Sequence, residues 1–194
     1  MKIQENIPLA QYTTFQIGGT ARFFCVATTE DEVLEAVKFG KEKNLRIFVL
    51  GGGSNILISD EGFPGLVIKI ELKGIEYRTE GATTYVTAAA GELWDGLVGD
   101  TVERGLYGIE NLSAIPGTVG ATPVQNIGAY GTDASYTISK VRALDRKALA
   151  YVELSNADCQ FAYRDSIFLQ NRSHHIITKV EYKLRSDGAV NTKY

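Results

Sequence analysis

Asn111-Leu112-Ser113-Ala114-Ile115-Pro116-Gly117-Thr118-Val119-Gly120-Ala121-Thr122-Pro123-Val124-Gln125-Asn126-Ile127-Gly128-Ala129-Tyr130-Gly131-Thr132 decides how the chain is read. The stretch has no charged side chain, although Glu110 and Asp133 flank it. It holds two of the four prolines and four of the glycines. Neither helical nor strand periodicity survives that spacing. A segment this long without regular structure is a functional loop or disordered. Leu112, Ile115, Val119, Val124, Ile127 and Tyr130 are too apolar for disorder. Glycine lets backbone approach a ligand closely. Ser113, Thr118, Gln125 and Asn126 offer hydrogen bonds to a neutral ring or a phosphate. The reading is an ordered wrap around a large, partly anionic small molecule.

Moving outward, Thr29 and Glu32 form a capping box. Val33, Leu34, Ala36 and Val37 then give a helical face, with Asn44 as the stop. Ala21 to Val26 reads as a strand before that helix, and Ile47 to Leu50 as a wholly apolar, buried parallel strand after it. The βαβ unit ends at Gly51-Gly52-Gly53-Ser54-Asn55. Successive N–H groups there suit an anion-binding nest; the bland alternative is a tight turn. The dinucleotide fingerprint fails at Ile56, and no P-loop lysine follows. Gly65 to Ile70 is a further strand.

Past residue 70 the pattern changes. Tyr85 to Ala90 reads as a strand. Leu93, Trp94, Leu97, Val98 and Val102 recur at helical spacing, with Gly105 as C-cap and Trp94 in the core. Ile138 to Leu144 and Ala150 to Leu154 form a hairpin about a solvated Asp145-Arg146-Lys147 turn. Ile176, Thr178, Val180, Tyr182 and Leu184 alternate with Lys179, Glu181 and Lys183, a half-buried strand. Two α+β subdomains result, residues 1–70 and 71–194, whose glycine loops can face one cleft.

Composition bounds the function. An apolar fraction of 44% over 194 residues supports a real core. The net charge of −3 argues against nucleic-acid binding as the main task. Cys25 and Cys159 lie far apart, read as buried thiols, and have no metal-ligand spacing. His174 and His175, adjacent on a strand, face opposite sides and share no metal. No signal peptide opens the chain and no apolar run spans a bilayer, so a reducing cytoplasm fits. Tyr163-Arg164-Asp165-Ser166 sits between Phe161 and Ile167-Phe168. An arginine so placed is paired with Asp165 or poised for a ligand. Neighbours on a strand point apart, which weakens the pair.

Thr14-Phe15 with Gly18-Gly19-Thr20-Ala21, Leu50 to Leu57, Ala90-Gly91 with Trp94, Gly108 to Gly131 and Cys159 to Phe168 are matching segments. In that order they resemble the UDP-N-acetylenolpyruvoylglucosamine reductases, bacterial flavoenzymes of peptidoglycan precursor synthesis. The resemblance implies an FAD-binding fold of the vanillyl-alcohol-oxidase/p-cresol-methylhydroxylase (PCMH) type. It implies noncovalent FAD held by Gly51, Gly52, Gly53, Ser54 and Asn55, and by Ser113, Pro116, Gly117, Gly120, Ala121, Gln125, Asn126, Gly128, Ala129, Tyr130 and Gly131. Gln125 and Asn126 are expected to offer side-chain bonds. The implied reaction carries hydride from NADPH to flavin N5 and on to the enol ether of the UDP-sugar. The family's catalytic arginine maps onto Arg164; Tyr163, Arg164 and Tyr194 map onto substrate contacts. The family continues into a substrate domain bearing a serine and a glutamate, whereas this chain stops at Tyr194. It therefore reads as the FAD-binding portion, inactive alone and of unknown oligomeric state. Two other readings compete: a flavin-linked sugar or alcohol oxidase, which wants a histidine or cysteine for covalent attachment, and a non-catalytic flavin-binding module.

Overall fold

The computed structural model describes residues 1–171 and 174–189. Two compact units divide the chain between Leu72 and Lys73.

The first unit is a four-stranded sheet with one helix. Its strands are β1 (Gln4–Pro8), β2 (Thr20–Ala27), β3 (Ile47–Leu50) and β4 (Phe63–Ile70), in the order β1-β2-β4-β3. Helix α1 (Glu30–Glu42) follows β2. Thr29 Oγ1 accepts from Glu32 N at 3.2 Å, as a capping residue should. The return bond lands one residue early, on Thr28 N and Thr28 Oγ1. Val33, Ala36 and Val37 are fully buried. The expected βαβ unit is present but open. Strand β4 inserts between its two strands and pairs in parallel with both. That leaves β3 at an edge, with only Leu50 buried, which corrects the reading of a buried strand.

The second unit is a five-stranded sheet of order β10-β9-β11-β6-β5. Its strands are β5 (Ile75–Glu80), β6 (Thr83–Ala89), β9 (Ile138–Asp145), β10 (Ala150–Ser155) and β11 (His175–Arg185); a small ribbon supplies β7 (Gly128–Ala129) and β8 (Thr132–Asp133). Central β11 buries Ile177 and Glu181 on its second face as well, so it is covered on both sides rather than one. Glu181 there accepts a 2.6 Å bond from Ser139 Oγ. Helix α2 (Trp94–Glu103) ends in a Schellman arrangement. Gly105 N donates to Val102 O, and Leu106 N to Thr101 O. Leu93 is the extended residue before α2 and is exposed, as is Val102, so the helical face is narrower than its spacing suggests. A third helix, α3 (Ile167–Gln170), is capped by Ser166. His174 lies in a turn before β11, and its ring stands 5.9 Å from that of His175; the two do not face opposite sides of one strand. Arg146, expected in solvent, is half-buried, and its Nε has no partner among the described residues. Burial pushes both cysteine thiols up to about 12.

Trp94 and Tyr182 organise this core, with ring centroids 5.6 Å apart. Both are essentially inaccessible, so each polar tip needs a partner. Trp94 Nε1 donates to Leu112 O at 2.8 Å. Thr122 Oγ1 donates to Val119 O, leaving the Tyr182 hydroxyl to donate to Thr122 Oγ1 at 2.6 Å. Trp94→Phe removes a buried donor and ring volume, so it should cost about 2 kcal/mol. Urea unfolding followed by circular dichroism measures the loss.

Candidate functional site

The loop after β3 belongs to the first unit. Gly53 is buried, at φ +70°, with its carbonyl accepting from Thr14 N at 3.1 Å. A Cβ at residue 53 would stand 1.9 Å from the Tyr12 carbonyl oxygen. This glycine is demanded by packing, a reason its sequence does not reveal. The N–H groups of Gly51, Gly52 and Gly53 have no acceptor among the described residues. Three successive donors without partners suit an anion. Gly52 and Asn55 are exposed, Ser54 half-buried.

The wrap belongs to the second unit. It is ordered, as short 3₁₀ turns and the β7–β8 ribbon, and it is stapled to its surroundings at nearly every step. Trp94 N donates to Gly117 O, Val119 N to Glu92 O and Gly120 N to Ala90 O. At Gly120 a Cβ would meet that of Ala90 at 2.6 Å. Asp95, in the first turn of α2, accepts from Ala114 N at 2.6 Å and Ser113 Oγ at 2.8 Å. Those two bonds, the Ala114 one foremost, hold its carboxyl below the ordinary 3.8. Ser113 therefore spends its proton on Asp95 rather than on a ligand. Pro116 and Ala121 are exposed, and Gly117, Gln125 and Ala129 half-buried. Tyr130 and Gly131, both at positive φ, turn the ribbon over, and Tyr130 is exposed at its tip.

Asn126 departs from its expected role. It is 2% exposed, with Nδ2 donating to Ala162 O at 3.0 Å and Oδ1 accepting from Ser135 N at 2.9 Å. Both amide atoms are engaged within the protein, so the side chain clasps the ribbon to the Ala162 turn.

Arg164 is not on a strand either. Ala162 and Asp165 exchange backbone bonds in both directions, which makes residues 162–165 a tight turn. Arg164 occupies its third position at φ +55°. Asp165 accepts from Ser166 N and Gln170 Nε2, and it forms no ion pair with Arg164. Instead Arg164 Nη2 donates to Gly128 O at 2.7 Å. Ser166 Oγ donates to Val124 O, also at 2.7 Å. The structure thus brings the Arg164 turn against the wrap through three hydrogen bonds. Tyr163 is 89% exposed beside it. Tyr194, the remaining expected contact, lies outside the described residues. Sequence reasoning missed Asp95, Ser166 and the Tyr12 contact; Asp95 alone left a signal, an acidic residue in the first turn of a helix that precedes a glycine-rich loop.

Each unit offers its own chemistry: the first a run of N–H donors suited to phosphate, the second an uncharged wrap with the solvent-exposed Arg164 guanidinium tied to Gly128 O. A ring-bearing cofactor with a pyrophosphate fits the residues present. A cleft of about 260 Å³ opens in the second unit between Tyr107, Glu110, Tyr136 and Arg185.

Comparison with known proteins follows the same lines. The FAD binding domain family matches residues 21–148. The UDP-N-acetylenolpyruvoylglucosamine reductase of Streptomyces coelicolor is 44% identical over 94% of this chain and 47% of its own length. That of Ralstonia nicotianae is 40% identical over 99% of the chain and 57% of its own. The crystal structure of the reductase from Thermus caldophilus superposes with a TM-score of 0.78 at 29% identity, covering 95% of this chain and 63% of that one. A cholesterol oxidase at 18% identity and TM-score 0.65 shares the fold alone, which is the PCMH-type FAD-binding fold. The chain spans about half the length of the curated relatives it matches.

The Asp95 contacts carry a pH dependence. A carboxyl whose folded pKa lies below its unfolded value stabilises the fold fully above the unfolded value, and that contribution is lost as pH falls through the folded one. Protection of the Ala114 amide against hydrogen exchange should therefore fall as pH drops below about 3.8. Asp95→Asn should lower it already at neutral pH.

Proposed function

We propose that this chain, which belongs to the FAD binding domain family, is the flavin-holding portion of a UDP-N-acetylenolpyruvoylglucosamine reductase. FAD, held noncovalently, would supply the hydride chemistry that links NADPH to the UDP-sugar enol ether. The residues of this chain bind, orient and stabilise around its ring. The N–H groups of Gly51 to Gly53 take the pyrophosphate, with Ser54 and Asn55 beside them. The wrap from Ser113 to Gly131 takes the ring system through backbone and apolar contacts. Its lack of charge keeps water and competing ions from the reacting edge. Such an enzyme works in the cytoplasm, where its nucleotide-sugar and NADPH are found. No helix among the described residues is long and apolar enough to cross a membrane.

The observation that carries the reading is the Arg164 turn held against the wrap. One N–H of the guanidinium is tied to Gly128 O. Its other donors have no partner among the described residues and suit a substrate carboxylate. A planar fork already fixed at one corner suits a carboxylate whose charge grows in the transition state. Tyr163, exposed next to it, offers a face and a hydroxyl to the same substrate.

Arg164→Ala in the complete enzyme should lower kcat by roughly two orders of magnitude, the scale of losing one transition-state donor. Flavin reduction by NADPH should suffer less than reoxidation by the UDP-sugar, and lysine should rescue only in part. Stopped-flow traces separate the two half-reactions; equal loss in both refutes the assigned role. In the present chain, flavin fluorescence quenching on titration with FAD measures binding. Gly52→Val, which projects a side chain from an exposed loop position, should weaken that binding while leaving the melting temperature near its original value.

A further inference from the structure

We infer that Asn126 is a positioning residue for Arg164, locking the turn that carries the guanidinium to the wrap. The inference rests on the reading of Arg164 as partner of the substrate carboxylate.

The stem of the turn is anchored by the Ile167 N to Cys159 O bond and by buried Cys159 and Phe168, but its tip is not. Tyr163 and Arg164 project into solvent, so apolar packing does not fix their direction. The Ala162–Asp165 backbone bonds set the turn's shape but not its orientation. Orientation comes from three polar ties to the wrap, and they differ in kind. The Arg164 bond to Gly128 O is made by the very group that must also meet the substrate. The Ser166 bond to Val124 O lies at the far end, where Ser166 also caps α3. Asn126 holds the near end. Its Nδ2 takes Ala162 O, its Oδ1 takes Ser135 N, and it is sealed from water. One amide therefore fixes the distance between the ribbon bearing Gly128 and the turn bearing Arg164. Its backbone sits at φ +43°, a region asparagine and aspartate tolerate better than most residues.

Asn126→Asp keeps size, backbone preference and the acceptor for Ser135 N. The donor toward Ala162 O is replaced by an acceptor facing an acceptor, and above the carboxyl's pKa a charge enters a sealed site beside Asp133. A protonated carboxyl can donate again, so acid should mend the defect. The charged groups near it are Asp133, which shares the Ser135 N–H, and Arg164 and Asp165 on the turn. A displacement of the guanidinium on the ångström scale costs up to about 100-fold in rate.

The test is stopped-flow kinetics of the complete enzyme, with wild type, Asn126→Asp and Arg164→Ala run in parallel. Asn126→Asp should slow reoxidation by the UDP-sugar roughly 10-fold or more. Reduction by NADPH should be slowed less than reoxidation, because the lost bond runs from Asn126 to the turn that carries Arg164. The ratio of variant to wild-type reoxidation rate should climb as pH is lowered. If reoxidation is unchanged in Asn126→Asp yet slowed in Arg164→Ala, the inference is wrong and the reading of Arg164 stands. If Arg164→Ala leaves reoxidation untouched, that reading fails and takes the inference with it. Weakened FAD binding with equal loss in both half-reactions would mean that Asn126 only supports the wrap, and overturns the positioning role. Should Asn126→Asp fail to fold, Ser166→Ala cuts the other polar tie and is held to the same half-reaction split.

Discussion

Nearly every feature of the second unit follows from one constraint: a buried peptide group must have a hydrogen-bond partner. Residues 111–132 have almost no ladder of their own to provide one. The partners therefore come from outside the segment. Trp94 supplies an indole N–H, Asp95 a carboxylate, Ala90 and Glu92 their carbonyls. Thr122 turns its hydroxyl onto the preceding turn and is itself met by the buried Tyr182, whose phenol burial pushes well above its ordinary pKa. The result is a segment without regular structure that is nonetheless fixed residue by residue. Such fixation is what a binding surface needs, because its groups are already in place before a ligand arrives.

Local signals were legible in the sequence where they were self-contained. Thr29 with Glu32 announces α1, the apolar spacing about Trp94 announces α2, and the two runs either side of residues 146–149 announce the β9–β10 hairpin. Strands β1 and β5 left no such mark. Gln4 to Pro8 and Ile75 to Glu80 are mostly polar, because each lies at a sheet edge and buries little. The insertion of β4 into the βαβ unit was equally silent, since strand order is a tertiary fact. At the candidate site the glycine-rich composition marked two loops, and the Tyr163-Arg164-Asp165-Ser166 block marked Arg164. Neither could tell a side chain that faces a ligand from one that faces the protein. Asn126 meets Ala162 36 residues later, and Thr122 meets Tyr182 60 residues later; no local pattern encodes pairs that distant.

The two glycine loops also show that one residue type answers different demands. Gly53 leaves room for the Tyr12 carbonyl, and Gly120 for Ala90, so both are set by what the chain itself must pack. The N–H groups of Gly51 and Gly52 have no acceptor among the described residues. Only the second kind speaks of a ligand.

The turn at Arg164 has a consequence for how this protein can change over time. A non-glycine residue in the left-handed region costs roughly 1 kcal/mol or more. Ala114, Asn126, Tyr130 and Arg164 all sit there, clustered in the wrap and the turn it holds. Glycine at 164 would relieve that strain and would abolish the guanidinium. On the role proposed for Arg164, selection for stability and selection for chemistry pull in opposite directions at this position. A lineage freed from the need to turn over substrate should drift first here, toward glycine or asparagine, while Gly53 and Trp94 stay as they are.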